Sequence, residues 1–201
     1  MRNFIYLFFS VITIIGCAKR GTPSGGAIDS IPPVLVNASP KLNSINFESD
    51  EIRLTFDEWI KLNNVQEQLI ISPPIDKSSY EISPLSGVTK KVFLKFLDSL
   101  SPKTTYTINF GNSIQDNNEN NPLTFFSYTF STGETIDSLF IKGNIKDAFD
   151  QNAENYISLQ LYRVDSLFKD SIIYSGRPTY ISNTLDSTNY KFQNLKEGNY
   201  L

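Results

Sequence analysis

Ile52-Arg53-Leu54-Thr55-Phe56 decides the fold: apolar and polar residues alternate at a period of two. A strand sends successive side chains to opposite faces, so Ile52, Leu54 and Phe56 face a core while Arg53 and Thr55 face water. The pattern returns at Val92, Leu94 and Phe96, at Tyr106, Ile108 and Phe110, and at Ile157, Leu159 and Leu161. Leu69-Ile70-Ile71, Phe125 to Phe130, Leu139-Phe140-Ile141, Ile172-Ile173-Tyr174, Tyr180-Ile181 and Tyr190 to Leu195 are further strand candidates. Turn clusters separate them, among them Ser72-Pro73-Pro74, Ser86-Gly87, Ser101-Pro102 and Asp116 to Pro122. No stretch has a clear helical stripe, and Glu58 to Gln68 has room for a turn or two. Short strands with frequent turns predict an all-β chain of tandem antiparallel sandwiches, one over 34–133 and a second over 134–201. The chain stops at Gly198-Asn199-Tyr200-Leu201, which reads as a new strand just begun, so a longer parent protein is expected.

Upstream, the order changes. Arg2 gives a basic start, Phe4 to Ile15 form an almost unbroken apolar run, and Gly16-Cys17 ends it. This is the outline of a secretory signal over 1–16. As a helix the run would reach only about 18 Å, against roughly 30 Å of hydrocarbon, so it is too short to span a membrane. The residues before Cys17 resemble a lipobox, which implies cleavage after Gly16 and lipidation of Cys17. Residues 17–33, rich in Gly, Pro and Ser, read as a flexible tether from that anchor.

The side-chain inventory excludes much chemistry. The 201 residues contain no His and a single Cys, Cys17. His-based triads, His metal sites, disulfides and cysteine zinc sets have no residues to form them. The net charge of −3 suggests no nucleic-acid surface. No enzyme activity and no cofactor are expected.

Family resemblances sharpen the fold. Asp50 to Leu62 resembles the early strands of the bacterial Ig-like domain of surface-layer proteins. Leu100-Ser101-Pro102-Lys103-Thr104-Thr105-Tyr106-Thr107-Ile108 is similar to a strand start in that domain and in fibronectin type III domains. Ile114-Gln115-Asp116 and Phe130-Ser131-Thr132-Gly133 fit the same pattern, so the likeness covers 31–133. Tyr106 is placed to return its hydroxyl to the upstream backbone as a tyrosine corner. Residues 139–201 resemble a non-catalytic carboxypeptidase-regulatory-type sandwich through Ile141, Gly143, Ile145, Leu161-Tyr162, Phe192 and Asn194-Leu195. The arrangement as a whole is similar to outer-membrane lipoproteins of Gram-negative bacteria. That resemblance implies a lipid-anchored envelope protein whose Ig-like domains serve as structural or protein-interaction modules. The membrane, through the lipid, and a protein of the outer membrane are its implied partners. Two alternatives are an accessory subunit of an outer-membrane assembly or transport complex, and a carbohydrate-binding surface lipoprotein. Acidic residues usually follow the lipidated Cys of exported members, whereas Lys19 and Arg20 stand here, so the membrane face stays open.

Two clusters could carry a ligand. Asp116, Asn118 and Asn120 have the i, i+2, i+4 spacing of a calcium loop, but the sixth position is Asn121 rather than Gly and the twelfth is Ser127 rather than Glu. The alternative is a polar hairpin loop. Asp57-Glu58-Trp59 sets two carboxylates beside the only Trp, where a sugar could stack; the alternative has Trp59 packing over the sandwich core. Lys90-Lys91 and Asp147 to Asp150 read as solvated loops.

Overall fold

The structure is a computed structural model that describes residues 26–149, 157–184 and 188–201. Gly16 and Cys17, with the apolar run before them, lie outside the described residues. Eight strands form the first unit: β1 (Leu35–Ser39), β2 (Glu51–Leu62), β3 (Ile70–Ser72), β4 (Tyr80–Ser83), β5 (Thr89–Phe96), β6 (Thr105–Asn109), β7 (Ile114–Asp116) and β8 (Ser127–Ser131). One sheet runs β1-β2-β5-β4, with β7 on the far end of β2; the other runs β3-β6-β8. All these pairings are antiparallel.

The alternation in β2 works as its spacing predicts. Ile52, Leu54 and Phe56 are buried, and across the strand pair they meet Val92, Leu94 and Phe96 on the same inner face. The facing sheet contributes Ile71, Tyr106, Ile108, Tyr128 and Phe130. Phe130, fully buried, sits among four rings: Phe47 at 4.1 Å, Tyr106 stacked at 5.5 Å, and Phe96 and Tyr128 each at 5.9 Å. The Tyr106 hydroxyl accepts the Ser101 N–H at 3.0 Å, so the tyrosine corner is present. Tyr128 donates its hydroxyl to the Pro40 carbonyl at 2.8 Å, which ties the turn after β1 to the second sheet.

The second strand set holds β9 (Leu139–Asn144), β10 (Ser158–Leu161), β11 (Tyr180–Asn183) and β12 (Asn189–Leu195). They form two antiparallel pairs, β9-β12 and β10-β11. Tyr180, Phe192 and Leu195 make a small core of their own.

The junction between the two sets is polar. Threonines on the outer face of β6 and β8, which simple alternation would leave in water, are buried: Thr105, Thr107 and Thr129. Thr107 donates to the Asn194 side-chain oxygen at 2.9 Å, Thr105 to the Asp137 carboxylate at 2.9 Å, and the Asn194 amide returns to the Asp137 carbonyl at 2.9 Å. Arg177 pairs with Asp76 at 2.5 Å across the same seam. β6 is therefore covered on both faces.

Several local expectations change. Ile172–Ser175 is a helical turn, not a strand. Ile172, Tyr174 and Gly176 each send their N–H to a carbonyl three or four residues back, so no neighbouring strand is needed to satisfy them. Glu58 to Leu62 continues β2, and the short helix Val65–Gln68 starts only after Asn64 turns left-handed at φ 47°. Phe125 is also left-handed (φ 55°), which delays β8 to Ser127. Lys90 and Lys91 belong to β5, with side chains in water. Gly198 to Leu201 makes a single antiparallel bridge, Arg163 with Tyr200, and Tyr162 and Leu201 exchange two backbone hydrogen bonds at 2.9 Å beside it.

Truncating Phe130 to Ala should cost about 3–5 kcal/mol in denaturant-induced unfolding, the range for a fully buried aromatic ring. Tyr106→Phe should cost about 1 kcal/mol, since it removes only the Ser101 partner.

Candidate functional site

The site candidate arises from a break in strand pairing. β2 and β5 are in register from Glu51↔Lys95 to Thr55↔Lys91, and again at Ile60↔Thr89. Between those points residues 56–59 of β2 face one residue of β5, Lys90. The surplus backbone bulges outward, the usual way a sheet re-aims side chains. Phe56 and Ile60 stay in the core, and Asp57, Glu58 and Trp59 occupy the bulge. Local bonds hold it. Lys90 Nζ donates to the Asp57 carbonyl at 2.6 Å, the Val34 N–H donates to Asp57 Oδ1 at 2.9 Å, and the Asn117 N–H donates to the Trp59 carbonyl at 3.0 Å.

Trp59 does not pack over the core: it is 56% exposed. Carrying the alternation of Ile52, Leu54 and Phe56 forward to Ile60 leaves Trp59 on the outer face. Beside it lie Glu58, Val88, Asn117 and Asn118, which together line a shallow cleft of about 370 Å³. Val88 belongs to no sequence motif and Asn117 only to the turn cluster after β7; the fold brings both to the Trp.

The loop after β7 is organised by one carboxylate. Asp116 is 2% exposed. Its Oδ1 accepts the Glu119 and Asn120 N–H groups at 2.7 and 3.0 Å, and its Oδ2 accepts the Asn121 N–H at 2.8 Å. The lone pairs that a cation would use are turned onto backbone. Asn118 points its oxygen to the Asn117 amide at 3.2 Å, and Asn120 is a left-handed turn residue (φ 68°). The structure thus does not bring Asp116, Asn118 and Asn120 together as a ligand set. Among the described residues no group of three or more His, Cys, Asp or Glu is placed to hold a metal ion.

Two neighbouring carboxyls are shifted in opposite directions. Burial alone would raise Asp116, but the backbone N–H groups of Asn121, Glu119, Asn120 and Asn118 outweigh it and hold its carboxyl below the ordinary 3.8. Glu58 is raised above its ordinary 4.5 by burial first, then by the charges of Asp116, Asp57, Asp29 and Glu119.

The residues just before β1 are fastened to this region. Asn121 donates its side-chain amide to the Asp29 carbonyl at 2.9 Å, and Asp57 and Val34 bond twice, by side chain and by backbone. The segment that reads as tether is therefore held against the domain from Asp29 onward.

A larger cleft of about 860 Å³ opens at the polar junction, between Asn109 and Phe125 on one side and Lys142, Asn144 and Gln193 on the other. Much of its polar lining is already engaged. Asn109 Oδ1 accepts the Gly111 N–H, the Asn144 amide meets Thr188 and Asn189, and Ser182 donates to the Lys191 carbonyl. It reads as part of the seam.

The model of the bacterial Ig-like domain matches residues 29–132, more than half of the chain. The chain belongs to that family. Its match starts where the Asp29 contacts start and ends at the close of β8. Two solved structures are similar at low level. An L,D-transpeptidase from Mycobacterium smegmatis shares 9% identity at a TM-score of 0.34, over 76% of this chain and 74% of that one. The N-terminal part of the bacterial S-layer protein SbsC shares 12% at 0.29, over 76% of this chain and 43% of that one. No curated protein matches the chain.

Within this Ig-like domain the opposed carboxyl shifts have opposed consequences for stability. Asp116, with its folded pKa depressed, stabilises the fold above pH 3.8, and that stabilisation is lost as pH falls through the folded value. Glu58, with its folded pKa raised, makes the fold less stable as pH rises from 4.5 through the folded value. Asp116→Asn should cost about 1–3 kcal/mol at pH 7 and flatten the acid limb of stability below pH 3.8. Glu58→Gln should leave stability at pH 7 unchanged or slightly higher. Urea titrations of the three proteins across pH 2 to 7 check both statements.

Proposed function

We propose that the protein is a lipid-anchored, non-enzymatic module of the bacterial outer membrane. In this reading Cys17 carries the lipid, residues 18 to about 28 form the leash, and the Ig-like domain serves as a structural or protein-interaction module. The observation that carries it is the order of the chain: an apolar run closed by Gly16-Cys17, then a Gly/Pro/Ser segment, then an Ig-like domain. A non-enzymatic role agrees with a sequence that has no His and no thiol other than Cys17. Residues 134–201 serve as a second β-module docked onto the first through the threonine seam.

The test is acyl labelling in a Gram-negative host. The parent chain should incorporate palmitate and fractionate with outer membranes, and Cys17→Ala should do neither. A Cys17→Ala protein that still takes up label would overturn the anchor. Affinity purification of the labelled protein from solubilised membranes then separates two roles: one stoichiometric partner points to an assembly or transport subunit, and its absence to a spacer.

A further inference from the structure

We propose that the β2 bulge forms a binding site for a neutral saccharide, with Trp59 as the stacking platform. Trp is the side chain best suited to lie in water and still offer a large flat apolar face, and here strand alternation sets it outward beside a break in the pairing with β5. Val88, 48% exposed, extends the apolar floor. Around that floor stand Glu58, Asn117 and Asn118, side chains that accept from and donate to hydroxyls. An apolar floor with a rim of carboxylate and amides matches a pyranose ring, which has an apolar C–H face and a circumference of hydroxyls. The cleft of about 370 Å³ lies at the small end of ligand pockets, which run from roughly 300 to 1,000 Å³.

The charge around the cleft selects among sugars. Glu58 itself lines the cleft, and its carboxyl is raised by burial first and then by the charges of Asp116, Asp57, Asp29 and Glu119, so the wall beside Trp59 is acidic. Among the described residues no side chain donates a hydrogen bond to the Glu58 carboxylate, so it remains available to a hydroxyl. The same field rejects uronic acids and other anionic sugars. Neither Trp59 nor Glu58 belongs to the buried cluster around Phe130, so substitutions there leave that core intact.

The sole Trp is also the reporter. The full chain, in a zwitterionic detergent without sugar headgroups, is titrated with chitotriose, maltotriose and xylotriose while Trp59 emission is followed. At least one should give a saturable change with a midpoint of about 0.1–10 mM, as weak single-platform binding implies. By calorimetry, Trp59→Ala should weaken that sugar about tenfold or more, Trp59→Phe should retain part of the binding, and Glu58→Gln should weaken it less than Trp59→Ala, all with an unchanged far-ultraviolet circular dichroism spectrum and urea midpoint. Trigalacturonate should bind more weakly than the neutral sugars. Flat titrations with all three neutral sugars, undiminished binding by Trp59→Ala, or equal binding of trigalacturonate would overturn the site. None of these outcomes bears on the lipid anchor, which the labelling of Cys17 tests separately.

Discussion

The fold depends on Phe130 being wrapped by aromatic rings from both sheets. Its own strand supplies Tyr128, the neighbouring strand Tyr106, the opposite sheet Phe96, and the loop after β1 Phe47. Two sheets that pack face to face need such interdigitation, because neither can hide its apolar face alone. Two tyrosines in the cluster then send their hydroxyls outward to backbone, Tyr106 to Ser101 and Tyr128 to Pro40. A single apolar contact set thereby also fastens the loops at its margin.

That rigid base allows the bulge. A strand pinned at Ile52, Leu54 and Phe56 on one side and at Ile60 on the other can carry surplus backbone between those points, and pairing with β5 resumes at Ile60 in a shifted register. Beside that break Trp59 lies in water, and the Glu58 carboxyl is raised by burial and by neighbouring carboxylates, both unfavourable for folding. Asp116, on β7 and paired with Ile60 of β2, is the reverse case: a buried charge that three backbone donors make favourable. One carboxylate builds the loop and the other is left strained beside it, a pairing usual where structure and binding meet.

The alternating strands were legible because their chemistry is local: β2, β5 and β6 follow from period two alone, and Tyr106 followed from its place after Pro102. Trp59 was legible in parity but not in register, since nothing in residues 56–59 announces that β5 supplies only Lys90 opposite them. Ile172–Ser175 misled because β-branched residues favour strands, yet a strand needs an edge to pair with and a helical turn does not. At Asp116 spacing says which residues are near, and the loop then turns the carboxylate oxygens onto the N–H groups of Glu119, Asn120 and Asn121. The burial of Thr105, Thr107 and Thr129 depends on residues Asp137 and Asn194, too distant in sequence for any local pattern to show.

The threonine seam has a thermodynamic consequence. The apolar clusters of the two strand sets do not merge, and side-chain hydrogen bonds and an ion pair join them instead. Parting such a seam would hydrate polar groups more than hydrocarbon, so its heat-capacity increment is small, because exposed polar surface offsets exposed apolar surface. Undocking of the second set would therefore add little curvature to stability with temperature, and a distance measured across the joint, between positions such as 76 and 177, registers it directly.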